Sequence, residues 1–108
     1  MAKKENQPTA DSTEQKIFDA AHELFVQKGM DGAKMQEIAD HAGINKALLH
    51  YYYRSKEKLY EAVARVIIGR AAPVIGHLIE SELPLEEKIR HFIDFYIGVI
   101  SRNPFIPL

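Results

Sequence analysis

Five histidines, a run of three tyrosines and the lysines flanking that run are the side chains in this 108-residue sequence that could do chemistry. The histidines are His22, His41, His50, His77 and His91, and no pair has the HExxH spacing of a helical zinc site. Cysteine is absent, which excludes thiolate metal sites and disulfide frameworks. No nucleophile, base or pair of carboxylates converges by spacing. Glu86-Glu87 fits as favourable charge in the first turn of a helix. The chain is therefore not expected to be an enzyme, and no metal or cofactor is implied. The tyrosines and lysines point elsewhere. Tyr51, Tyr52 and Tyr53 cannot all face one core from a helix, so at least one hydroxyl is turned outward. With Lys46 before them and Lys56 after, these groups suit phosphate oxygens and base edges.

The elements that must position them lie between residues 35 and 60. Ile38 and Ala39 stand one turn before Ala42 and mark the inner face of a short helix, Met35 to Ala42. Gly43 supplies the backbone freedom of a sharp turn, with positive φ expected. Asn45 is placed to cap the next helix, about Lys46 to Tyr52, by accepting an orphan backbone N–H. This is the sequence form of a helix-turn-helix, whose second helix enters the DNA major groove.

The remaining pattern is helical throughout, so the fold is expected to be all-α, with no strand and no internal repeat. Residues 1–11 are polar, carry Pro8 and show no periodicity, as in a flexible arm. Ser12 to Gln15 reads as a capping box opening a helix with Ile17, Phe18, Ala21, Leu24 and Phe25 on one stripe, stopped by Gly29. Ser55 caps a long fourth helix, in which Pro73 predicts a kink or break between Gly69 and Pro73. Pro84 or Leu85 opens a fifth helix, with Ile89, Phe92, Ile93, Tyr96, Ile97 and Ile100 apolar, and Asn103-Pro104 ends it. His22 and His41 fall on solvent-facing arcs. The domains expected are an arm over 1–11, a three-helix DNA-binding domain over 12–54, and over 55–108 a connecting fourth helix and the start of a regulatory domain. The apolar end, Phe105-Ile106-Pro107-Leu108, and the broad apolar arc of the fifth helix call for a further segment or another chain to cover them.

Hydrophobic residues make up 46% of the chain, as in a globular domain. No uninterrupted apolar run approaches the roughly 20 residues of a membrane span, and the N-terminus lacks the apolar segment of a signal peptide. A soluble, cytoplasmic chain without a membrane partner is expected. The formal net charge is −1, whereas nucleic-acid binders are often basic. Distribution resolves this. Between residues 41 and 60, Lys46, Arg54, Lys56 and Lys58 face only Glu57, while residues 80–94 carry five acidic groups against Lys88 and Arg90. Positive potential is concentrated where a helix-turn-helix needs it.

Ile38-Ala39-Asp40-His41-Ala42-Gly43-Ile44-Asn45, Leu49, Tyr51-Tyr52-Tyr53 and Lys56-Glu57-Lys58-Leu59 together resemble the TetR family of transcriptional regulators. The resemblance covers residues 12 to 70 strongly. It implies DNA contacts at Gln36, Lys46, Ala47, Leu48, His50, Tyr51, Tyr52 and Lys56, with Tyr53 in the core. It departs at Leu48, often threonine, where an apolar side chain can meet a thymine methyl. It departs also at His50, commonly a phosphate-bonding tyrosine, where a neutral imidazole still has one N–H to donate. Lys34 replaces a threonine and weakens one cap.

The function implied is sequence-specific DNA binding by a ligand-responsive repressor, a homodimer at full length, on double-stranded operator DNA. An effector pocket is placed at His77, His91 and Tyr96 between the fourth and fifth helices. The alternative, from another class, is a non-catalytic helical protein-interaction module using the fifth helix and the tail.

Overall fold

The computed structural model describes residues 12–106, so the expected arm over residues 1–11 lies outside them. Five helices follow in order: α1 (Thr13–Gly32), α2 (Met35–Ala42), α3 (Lys46–Tyr52), α4 (Lys56–Glu80) and α5 (Leu85–Arg102), with no strand among the described residues. Four of the five starts have a side-chain hydrogen bond as their local cause. Ser12 Oγ accepts from Gln15 N at 3.0 Å, Asn45 Oδ1 from Leu48 N at 2.8 Å, and Ser55 Oγ from Lys58 N at 3.1 Å. At α2 the cap is half made. The Lys34 ammonium has no acceptor to offer, but the Glu37 carboxylate accepts the Lys34 N–H at 3.2 Å.

The core gathers on α1. Ile17, Ala21 and Phe25 are buried there and meet Ile38 and Ala39 of α2, Leu49 of α3, and Leu59 and Val63 of α4. Gly29 (φ 75°, ψ 174°) leaves the helical region, so the regular part of α1 stops there and a last turn carries the chain towards Ala33.

α4 does not break at Pro73: the helix is continuous from Lys56 to Glu80. Proline removes one hydrogen bond to the carbonyl four residues back. Gly69 and Pro73 are both exposed, so water can take up that carbonyl while the turns on either side hold. The averaged hydropathy of α4 (1.5) and its length are sufficient to cross a membrane, although no unbroken apolar run is. Its first half nevertheless packs in the core through Leu59, Val63 and Val66, and Arg65 and Arg70 interrupt it.

The chain after α5 turns back. Ile106 N–H bonds Asn103 O at 3.1 Å, Ile106 is buried, and Phe105 lies among Phe25, His22 and Tyr60. Of the apolar end expected to need a cover, Phe105 instead packs against α1 and α4 and Ile106 is buried. Tyr60 locks the return by donating its hydroxyl to Phe105 O at 3.0 Å. His22 is likewise no solvent-facing residue. It is half-buried, stacks on Phe18, and its Nε2 lies 2.7 Å from Asn103 Oδ1. Asn103 Nδ2 donates to Val99 O, so its Oδ1 is the acceptor and His22 Nε2 carries the hydrogen. His41 does stay on the surface, 3.2 Å from Glu23 of α1.

Candidate nucleic-acid interface

The turn between α2 and α3 sets the aim of every outward side chain on α3. Gly43 has φ 75° and ψ 29°, the left-handed conformation that closes a helix, and Ile44 N–H reaches Ala39 O at 3.0 Å. Asn45 then starts α3 immediately. Leu49, fully buried, pins α3 to the core. A helix held by Leu49 presents the opposite arc, and Ala47 and Tyr51 lie on it, flanked by Lys46 and Leu48. Tyr51 is 79% exposed and meets Tyr52 edge-on, with ring centroids 5.5 Å apart. Lys46 is exposed, without a partner among the described residues. Gln36, exposed on α2, bonds Asp40 one turn on at 2.9 Å.

Two of the expected phosphate donors are engaged by the chain itself. Lys56 Nζ donates to Ala33 O at 3.0 Å and to Asp31 O at 3.4 Å, stapling the start of α4 to the entry of α2. One of its three N–H donors is left. His50 Nδ1 lies 3.2 Å from Arg54 O, so the one N–H of a neutral imidazole is already used. Tyr53 is half-buried against the core, as its position implied, and that burial, then the negative charge of Glu14 and of Tyr52, pushes its phenol up. A second tie braces α2. Lys28 Nζ pairs with Glu37 Oε2, and this bond, against an opposing push from burial and with help from the Lys34 N–H, holds the Glu37 carboxyl below its usual range.

The same 47-residue geometry has relatives. The family pattern described as "Bacterial regulatory proteins, tetR family" matches residues 17–63, which runs from the first core residue of α1 to Val63 of α4. Through this region, a little under half of the chain, the sequence carries the tetR-family pattern. It is similar to the HTH-type transcriptional activator FasR of Mycolicibacterium smegmatis, 26% identical over 98 residues, 91% of this chain and 45% of that protein. It is similar also to the HTH-type transcriptional repressor NicS of Pseudomonas putida, 30% identical over 92 residues, 82% of this chain and 43% of that protein. Among solved structures, a HlyIIR mutant protein matches with a TM-score of 0.58 at 28% identity, over 90% of this chain and 52% of that one. The chain thus spans about half the length of the curated relatives it matches.

Away from α3, an apolar cavity of about 260 Å³ opens between α4 and α5, walled by Ile67, Ala71, Ile75, Phe92, Phe95 and Tyr96 among others. Of the three residues expected at an effector pocket only Tyr96 lines it. His77 is exposed and His91 sits 4.0 Å from Glu87 on the outside of α5. The helical period places them there: His77 is two residues past Ile75 and His91 one before Phe92, so both rotate off the seam. Among the described residues no group of three His, Asp or Glu side chains could hold a metal ion. The staples by Lys56 and Asn103 could not be read locally, because their partners are distant in sequence.

Proposed function

We propose that this chain is the DNA-reading part of a ligand-responsive transcriptional repressor that acts as a homodimer on double-stranded operator DNA and has no enzymatic activity. The observation carrying the proposal is the recognition-helix geometry inside the family-matched region: α3 is anchored by Leu49 and offers Lys46, Ala47, Leu48 and Tyr51 outward. Gln36, His50, Tyr52 and Lys56 complete the proposed contact set. Residues 12–54 form the DNA-binding domain in this reading. Residues 55–108 form the connecting helix and the start of a regulatory domain whose effector enters between α4 and α5. Regulation is a population shift: effector binding moves α4 and changes the separation of two recognition helices, which must match major grooves about 34 Å apart. The proposed location is the cytoplasm, where that DNA lies.

The test is a salt titration of binding to random duplex DNA. Each neutralised phosphate contributes about −0.9 to the log–log slope, and a flat response overturns the reading. Lys46→Ala separates roles further, lowering affinity and relaxing preference at one base pair, with an unchanged affinity and preference counting against the assignment. The exposed apolar face of α5, including Ile89, Ile93 and Ile97, favours one second reading, a helical protein-interaction module. That reading predicts a flat salt response.

A further inference from the structure

We propose that His50 reads an exocyclic amino group in the major groove, adenine N6 or cytosine N4, through Nε2, and does not bond phosphate. The inference rests on the DNA-reading function proposed above and assigns the base chemistry of one position in it. Its starting point is the 3.2 Å approach of His50 Nδ1 to Arg54 O. A backbone carbonyl carries no hydrogen, so Nδ1 must donate. Neutral imidazole has a single N–H, which leaves Nε2 as a bare acceptor, and Nε2 has no partner among the described residues.

The acceptor carbonyl is held in place. Tyr53 N–H bonds Leu49 O at 2.8 Å, Tyr53 packs on the core, and Ser55 caps α4, so Arg54 is fixed from both sides. The tautomer is therefore built into the exit of α3. Phosphate oxygens only accept and cannot bond a bare Nε2. In the major groove guanine N7 and O6, adenine N7 and thymine O4 also only accept; the amino groups of adenine and cytosine alone donate. His50 lies one helical turn after Lys46, on the same flank of α3, so both address neighbouring bases.

The test selects binding sites from a randomised duplex library with the full chain at pH 8. The same selection is run on His50→Ala, His50→Gln and His50→Lys, with helicity checked by circular dichroism and salt slopes measured in parallel. The expected result is one position enriched in adenine or cytosine by about fivefold, lost in His50→Ala with the salt slope unchanged. His50→Gln, which keeps an acceptor, retains it. His50→Lys, a donor only, loses any preference for cytosine, which offers no acceptor, and gains guanine. A salt slope smaller by about 0.9 in His50→Ala, with base preferences intact, makes His50 a phosphate contact and overturns the proposal. A steep slope with no base enrichment by any variant overturns it and leaves DNA binding standing. A flat slope throughout overturns both.

Discussion

Gly43 and Asn45 do the local work of aiming the recognition helix, and each can be tested alone. At φ 75° an added methyl meets no neighbour within 4 Å, so the cost of Gly43→Ala is backbone strain only, about 1 kcal/mol. Urea denaturation should show that loss. Asn45→Ala should cost about as much by orphaning the Leu48 N–H, while Asn45→Ser restores most of it. Equal stability of both Asn45 variants would mean that the cap contributes nothing. Glu37 links charge to pH. Its carboxyl is held below the usual range by Lys28, so its contribution is present above the unfolded value of 4.5 and is lost as pH falls through the lower folded value. The stability gap between wild type and Glu37→Gln should therefore narrow below about pH 4.5, and thermal melts between pH 3 and pH 7 read it directly. Tyr53 runs the other way: its raised phenol favours the fold until pH rises past the ordinary tyrosine range.

Between elements, Lys56 and Pro73 set how α4 transmits force. Lys56 joins the first turn of α4 to Asp31 O and Ala33 O, so α4 cannot shift without disturbing the approach to α2. Lys56→Met keeps the apolar stem and removes the donors. It should lower stability by about 1 kcal/mol as well as weakening DNA binding, whereas a pure phosphate contact would change binding alone. Pro73 leaves one backbone bond of α4 unmade at an exposed site. Pro73→Ala should raise the melting temperature, the gain bounded by the roughly 3 kcal/mol that proline costs inside a helix. An unchanged or lower melting temperature would show that α4 is adapted to the proline.

For the molecule as a whole, the return of residues 103–106 onto α1 makes one body of what the helix order alone would leave as two. Asn103 is buried and bridges His22 of α1 to Val99 of α5, and Phe105 fills the space between Phe25 and Tyr60. Asn103→Ala leaves the half-buried His22 unpaired and should cost about 1–3 kcal/mol. It should also raise hydrogen exchange at the end of α5 before it does so in α3. Uniform protection of α5 in that variant would mean that Phe105 and Ile106 hold the clasp by themselves. The apolar cavity between α4 and α5 shares Val99 and Ile67 with the region beside this clasp, so occupancy there and docking on α1 have common walls.

How much was legible in the sequence follows the range of the interactions. Helices α2 and α3 and the start of α4 were readable closely, and the start of α5 to within one residue, because caps, glycine turns and apolar stripes act over three to five residues and each carries its own signature. The contact set on α3 came from the family resemblance, and the burial of Leu49 with the exposure of Lys46, Ala47 and Tyr51 agrees with the helical period. What sequence could not supply were partners. Lys56 finds its carbonyls 23 and 25 residues away, and His22 finds Asn103 across 81. The free nitrogen of His50 was also hidden, since it depends on where the chain sends the Arg54 carbonyl after α3 ends. Local sequence determined which side chains of α3 face outward, through backbone hydrogen bonding and periodicity. Tertiary packing decided which of their donors and acceptors remain free for a partner, because every group the fold satisfies internally is withdrawn from one.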